Sequence, residues 1–150
     1  MAKKKILENG CTACVVLLEK VGTDDRFITI ANLGDTRCVI SEDGVARAIS
    51  TDHKPTDERE QERIKRYGGE VFNNRVEGEL AVSRSLGDFL YKESGVICHP
   101  EVCREKIGPS AEYLIIATDG IWDVLDNNDA VKIVNETKGP LQEKANEVID

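Results

Sequence analysis

The stretch YLIIATDGIWD, Tyr113 to Asp123, constrains the fold more than any other. Leu114, Ile115 and Ile116 form an unbroken apolar run, which predicts a strand buried on both faces. Such a strand belongs inside a layered fold, covered above and below. The run stops at Thr118 and Asp119, turns at Gly120 and presents a second carboxylate at Asp123. The two acids lie four residues apart, on one side if Gly120 opens a helical turn. Read locally, this ending is either a plain turn or a pair of acids that hold something.

The rest of the chain supplies the layers. Strands are expected at Cys11–Leu18, Arg26–Leu33, Arg37–Ser41 and Val45–Ser50, with SEDG (Ser41–Gly44) as a hairpin turn. RFITIANLG carries apolar residues on both faces and should lie inside the fold. In DHKPTDEREQERIKRYGG, Asp57 and Glu60 resemble a capping box, and Gly68 and Gly69 close the helix behind a cationic last turn. Its apolar positions are only Ile64 and Tyr67, so the helix is expected to ride on the surface. Short strands follow at Glu70–Phe72 and Val102–Ile107. A helix capped near Asn127 or Asn128 should run towards Gly139, and Pro140 should start a last one through Ile149. Strands first and helices last predict an α+β domain.

Charge and cysteines narrow the partners. At 150 residues and a formal net charge of -8, the chain repels a phosphate backbone, so nucleic acid is not an expected partner. No apolar run approaches the ~20 residues of a membrane span, and MAKKKILENG has a basic cluster without the apolar core of a signal peptide. Five cysteines with no secretory segment predict free thiols and a cytoplasmic or nuclear location. Cys11 and Cys14 form a CxxC, and Cys98 and Cys103 lie five apart, which raises a zinc site. In a strand, however, residues three apart point to opposite faces, and buried thiols are expected instead.

Three Gly/Asp pairs remain: Gly34-Asp35, Gly87-Asp88 and Asp119-Gly120. A carboxylate leaving a buried strand is costly to desolvate unless it is bonded, paired or bound to a cation. Hard cations such as Mg²⁺ and Mn²⁺ take carboxylate, carbonyl and water oxygens, and a glycine lets a ligand approach the backbone. Each pair alone also suits an ordinary turn. Arg75 and Arg84 have the chemistry to hold an anion, with a paired or surface role as the plainer reading.

The motifs GCTACVV, ANLGDTRCVIS, TDHKPTDEREQERI, GGEVFNNRVEGELAVSRSLGDFLYK, HPEV and LIIATDGIWDVLDN occur in this order. Together they resemble the metal-dependent serine/threonine phosphatases of type 2C, the PPM family, from Gly10 to Asp150. The resemblance implies part of a four-layer α-β-β-α sandwich with antiparallel sheets and a binuclear Mg²⁺ or Mn²⁺ centre in the intact family domain. There a metal-activated water attacks phosphoserine or phosphothreonine in phosphoprotein substrates, with no protein nucleophile. By motif, Asp119 with Gly120 resembles the core metal position, and Asp123 and Asp35 the two acids of a weaker third site. The segment from Asp57 through Arg75 resembles a flap beside the active site, and Asp88 reads as structural.

The resemblance is to a middle portion of the catalytic domain. The family's early phosphate-binding Arg, its Glu-Asp pair, its Asp-Gly-His-Gly strand end and its late Asp-Asn motif have no counterpart between residues 1 and 150. Weak or no turnover is therefore expected of the chain alone. Uncovered sheet surface predicts self-association. A non-catalytic module that binds phosphoproteins or a regulatory partner is the alternative reading, and a plain carboxylate cation-binding domain is a third.

Overall fold

The computed structural model describes residues 9–149. The lysine cluster at residues 3–5 and Asp150 lie outside the described residues. Among the described residues ten strands and four α-helices follow one another, with a 3₁₀ turn at Phe89–Tyr91. The strands form sheets ordered β10-β4-β5, β2-β3-β9, β1-β8 and β6-β7. They are β1 (Gly10–Cys11), β2 (Ala13–Val21), β3 (Asp25–Leu33), β4 (Arg37–Glu42), β5 (Val45–Ala48), β6 (Val71–Phe72), β7 (Arg75–Val76), β8 (Leu86–Gly87), β9 (Glu101–Ile107) and β10 (Ala111–Ala117). The mixed α+β expectation holds, and the pairings of β4 with β5, β10 with β4, β6 with β7 and β1 with β8 are antiparallel.

The chain divides into two compact units. One contains Ala31–Thr36, Thr51–Val102 and the described part of Met1–Val15. Its helix α1 (Glu58–Arg66) begins as expected, with the Asp57 side chain accepting from the backbone N–H groups of Arg59 and Glu60. Gly68, at φ +85°, and Gly69, whose N–H returns to the Ile64 carbonyl at 3.0 Å, close it. The helix rides on the surface as expected, with only Glu60 and Ile64 buried among its 9 residues, Ile64 in a cluster with Val76 and Val96. The capping box, by contrast, is only half formed, because the Glu60 side chain turns inward to arginine instead of back to the cap. A single buried aliphatic contact and a buried ion pair anchor this face without a long apolar stripe. The β6–β7 hairpin turns through Asn73 and Asn74, both at positive φ, the conformation that a two-residue hairpin turn demands.

The other unit contains Val16–Ile30, Arg37–Ser50 and Cys103–Asp150. Asp43 and Gly44, both at positive φ, turn β4 into β5 where the sequence predicts the hairpin. β4 is the central strand, with Leu114 facing Ile40 and Ile116 facing Cys38 across the β10 pairing. On one face Val39, Trp122, Ala130 and Val131 form a core, packed by Tyr113, Ile115, Ala117 and Ile121. Helices α2 (Asp119–Trp122) and α3 (Asn127–Glu136) supply its outer half, and α4 (Leu141–Ile149) follows. The cap of α3 is Asp126, one residue before the expected start, and the helix yields at Thr137 rather than Gly139.

The opening strand departs from its expected burial. Among the described residues β10 is an edge strand, and Ile116 is 47% exposed. Leu114 to Ile116 line an apolar groove with Leu141, Ala145 and Val148 instead of being covered on both faces. The apolar composition of β10 therefore exceeds the cover that the described residues give it. The cysteines also differ from expectation. All five are free, but only Cys38 is buried, whereas Cys11, Cys98 and Cys103 are exposed. Strands β1 and β9, which carry Cys11 and Cys103, are exposed along most of their length, so those thiols face outward.

Candidate functional site

The acids at the end of β10 sit on a short, firmly pinned helix. Thr118 caps α2 with extended backbone, and Asp123 closes it in the helical region, its N–H bonding the Asp119 carbonyl at 2.8 Å. Asp119 and Asp123 therefore share one side, as the four-residue spacing requires. Trp122 sets the orientation of this turn. Its ring is buried in the core, its Nε1–H donates to the Ala117 carbonyl at 2.8 Å, and the Arg37 guanidinium lies 5.3 Å from its centroid. Arg37 also donates to Asn127 at 2.8 Å, which ties α3 to the same corner.

The carboxylates themselves are uncommitted. Asp119, Gly120 and Asp123 are all exposed, and no described residue bonds or ion-pairs with either acid side chain. A Cβ built on Gly120 meets only Thr118 Oγ1, at 3.6 Å, and its φ is not positive. Neither backbone conformation nor crowding within the chain demands glycine there. Two free carboxylates beside an open backbone suit a hard divalent cation, which keeps several waters and needs few protein oxygens. Among the described residues, no group of three or more His, Cys, Asp or Glu side chains converges. The CxxC accordingly builds no zinc cluster.

Asp35, at the end of β3, is held quite differently. It is 5% exposed and its Oδ2 accepts from Lys54 Nζ at 2.5 Å. Gly34, before it, takes φ +91°, and a Cβ there would lie 2.2 Å from the Thr12 methyl. His53 clamps this turn twice: its N–H donates to the Gly34 carbonyl at 2.9 Å, and its Nδ1 accepts from the Gly34 N–H at 3.1 Å. An accepting Nδ1 puts the ring proton on Nε2, which is buried without a hydrogen-bond partner, 4.0 Å from a Glu101 oxygen. Burial, with the Arg84 cation, holds the imidazole below its ordinary value against the opposing pull of Glu60 and Glu101. In this conformation the Asp35 carboxylate is committed to an ammonium and does not fit a divalent cation.

Beside this turn lies a charge network that motif reading missed. Glu60 is 3% exposed and accepts from Arg63 at 2.8 Å, from Arg84 at 2.8 Å and from the Ser83 hydroxyl at 2.5 Å. Burial pushes its carboxyl up, but the bonds from Arg84, Arg63 and Ser83 outweigh that and hold it at about 2. The available signal was Glu60 on the same helix face as Ile64, four residues on. Arg84 thus takes the paired role. Arg75, on β7, is exposed and donates to the Glu79 carbonyl at 2.5 Å. Asp88 is buried at φ 47° against Gly10, where any Cβ would strike its carboxylate.

Comparison with known proteins places these features. The family model described as protein phosphatase 2C matches residues 1–150. The chain is 42% identical over 149 residues to probable protein phosphatase 2C 21 of Oryza sativa subsp. japonica, covering 94% of this chain and 42% of that one. It is 48% identical over 134 residues to probable protein phosphatase 2C 69 of Arabidopsis thaliana, covering 87% of this chain and 36% of that one. The crystal structure of serine-threonine phosphatase 2C from Toxoplasma gondii superposes with a TM-score of 0.79 at 26% identity, over 99% of this chain and 54% of that one. The chain thus spans about two fifths of the length of the curated relatives that it matches. Six motifs in order, a matching fold and a family model along the whole sequence agree: the chain belongs to the protein phosphatase 2C family.

Proposed function

We propose that this chain is part of a protein serine/threonine phosphatase that hydrolyses phosphoserine and phosphothreonine in phosphoproteins with Mg²⁺ or Mn²⁺. The observation that carries the reading is the α2 turn, where Asp119 and Asp123 stand exposed and unpaired around a glycine that the fold does not require. On this reading Asp119, the Gly120 backbone and Asp123 hold cation and Arg75 borders the substrate, while Asp35 is a further ligand position only once its pair with Lys54 opens. The cation supplies a water of lowered pKa and charge to brace phosphate oxygens. Trp122 and Arg37 keep the turn aimed, and no side chain of the chain is needed as nucleophile. Its free thiols suit the reducing cytoplasm or nucleus.

The test is phosphopeptide hydrolysis by the 150-residue chain with Mn²⁺, beside Asp119→Ala and with Mn²⁺ binding measured in parallel. The expected result is weak or absent turnover, with Mn²⁺ binding that falls in Asp119→Ala. Robust metal-dependent turnover, lost in Asp119→Ala, would overturn the expectation that the chain alone is insufficient. Mn²⁺ binding unchanged in the double variant Asp119→Ala/Asp123→Ala would remove the metal assignment. Exposed Val15, Leu17 and Leu18 on β2 and Ile116 on β10 support self-association, and a monomer in sedimentation would count against it.

A further inference from the structure

Asn9, just ahead of β1, joins a reactive sequence to a join in the fold that has no slack. It is the only one of the eight asparagines that precedes a glycine. Asn9 and Gly10 are both exposed. A glycine has no Cβ to keep its amide nitrogen away from the preceding side chain, so that nitrogen can close on the Asn9 Cγ. The other asparagines lack this neighbour, and Asn32, Asn127, Asn135 and Asn146 are also held by hydrogen bonds.

The meeting of β1 and β8 depends on the backbone at this point. The Asp88 N–H donates to the Asn9 carbonyl at 2.9 Å. A Cβ on Gly87 would lie 2.3 Å from that oxygen, and one on Gly10 would lie 1.9 Å from the Asp88 carboxylate. The strands therefore touch through bare glycine backbone. β1 then leads to Thr12, whose hydroxyl lies 2.7 Å from that of Thr36 and whose methyl lies against Gly34.

We propose that Asn9 is a spontaneous deamidation site whose isoaspartyl product unlatches β1 from β8. The Gly10 nitrogen bonds to Asn9 Cγ, the bond from Cγ to the side-chain nitrogen breaks, and ammonia leaves with the Gly10 amide proton. Water then opens the cyclic imide. Opening at Cγ gives aspartate with the main chain intact. Opening at the main-chain carbonyl carbon gives isoaspartate, whose backbone runs through the side chain and is one carbon longer. The oxygen that the Asp88 N–H used then belongs to a carboxylate off the main chain, and the close glycine contacts cannot absorb the added carbon.

The test is storage of the 150-residue chain at neutral pH and body temperature, beside Asn9→Gln and Asn9→Asp. The parent should gain about 1 Da, and peptide mapping with isoaspartyl methyltransferase labelling should place the change at residue 9. The Asp43–Gly44 and Asp119–Gly120 pairs isomerise without that mass change, which tells them apart. Asn9→Gln, whose longer side chain closes a larger ring, should stay unchanged. Hydrogen exchange then reads the latch. The Asp88 amide should exchange about tenfold or more faster in the isoaspartyl form than in the fresh parent, whereas Asn9→Asp should keep the parent's protection. No mass gain at residue 9, or an earlier gain at another asparagine, overturns the site. An isoaspartyl form that protects the Asp88 amide as the parent does overturns the unlatching.

Discussion

Two strand ends that look alike in sequence, Gly34-Asp35 and Asp119-Gly120, have opposite characters in the structure. Asp35 is buried, faces an ammonium and sits on a turn clamped by His53. Asp119 is exposed, its side chain unbonded, on a turn pinned through Trp122, Ile121 and the backbone. The same residue pair therefore yields a paired structural charge in one unit and an available donor in the other. Environment, not residue type, decides which acid is free to take a ligand.

The contrast predicts unequal costs of mutation. The largest belongs to the network beside Asp35. Glu60→Ala leaves the half-buried Arg63 and Arg84 without their carboxylate and should cost about 3–5 kcal/mol in urea unfolding. Glu60→Gln, which keeps the shape and one of the two acceptor oxygens, should cost less. Equal loss in the two variants would mean that packing, not charge, holds α1.

Next comes Asp35→Asn, expected to lose about 1–3 kcal/mol because a buried bonded charge is removed from a partly exposed partner. Lys54→Met, which leaves the buried carboxylate without its ammonium, should be comparably costly. An Asp35→Asn chain as stable as the parent would erase the distinction between the two strand ends.

Acid should act on the unit that holds Asp35. The fold holds His53 below its ordinary value, so its contribution is present above about 6.5 and is lost as pH falls through the folded value. Glu60, held at about 2 against 4.5, contributes fully above 4.5 and loses that contribution as pH falls towards 2. Unfolding midpoints against pH should thus decline in two steps. His53→Asn, whose amide oxygen can still accept from the Gly34 N–H, should abolish the first, and Glu60→Gln the second. A single step surviving in both variants would place the acid sensitivity elsewhere.

The smallest effects are expected at the α2 turn. Asp119→Asn and Asp123→Asn should each change stability by less than about 0.5 kcal/mol, as exposed substitutions do. Gly120→Ala should be neutral or stabilising by up to about 1 kcal/mol, because the site has room and helical backbone. If Gly120→Ala nevertheless weakens Mn²⁺ binding, the glycine serves the ligand and not the fold. Destabilisation by Gly120→Ala would point instead to a structural demand at that position.

How much of this was legible follows from the range of each signal. The SEDG turn, the Asp57 cap, the Gly68-Gly69 stop and the shared side of Asp119 and Asp123 are local, so spacing alone places them. Burial is not local. The run Leu114–Ile116 has a buried strand's composition, yet its cover depends on what packs against it, and here Ile116 is half exposed. Glu60 reads as a capping-box partner until Arg84, twenty-four positions away, is brought to it by the fold. Lys54 gives no sequence sign that its ammonium answers Asp35. Its sequence neighbours are a histidine and a proline, and its partner lies nineteen residues upstream.

The uneven burial of the thiols makes the chain its own reporter. Cys11, Cys98 and Cys103 are open to a disulfide reagent, while Cys38 lies at 0% exposure in β4, between β10 and β5. A thiol in that position reacts only through an opening of its sheet, so its rate relative to the exposed three measures the free energy of that opening. Among the described residues both neighbours, β10 and β5, are edge strands, so the departure of either opens that sheet. The slowest of the modification phases is then a clock for how often the sheet that leads into the Asp119 turn opens.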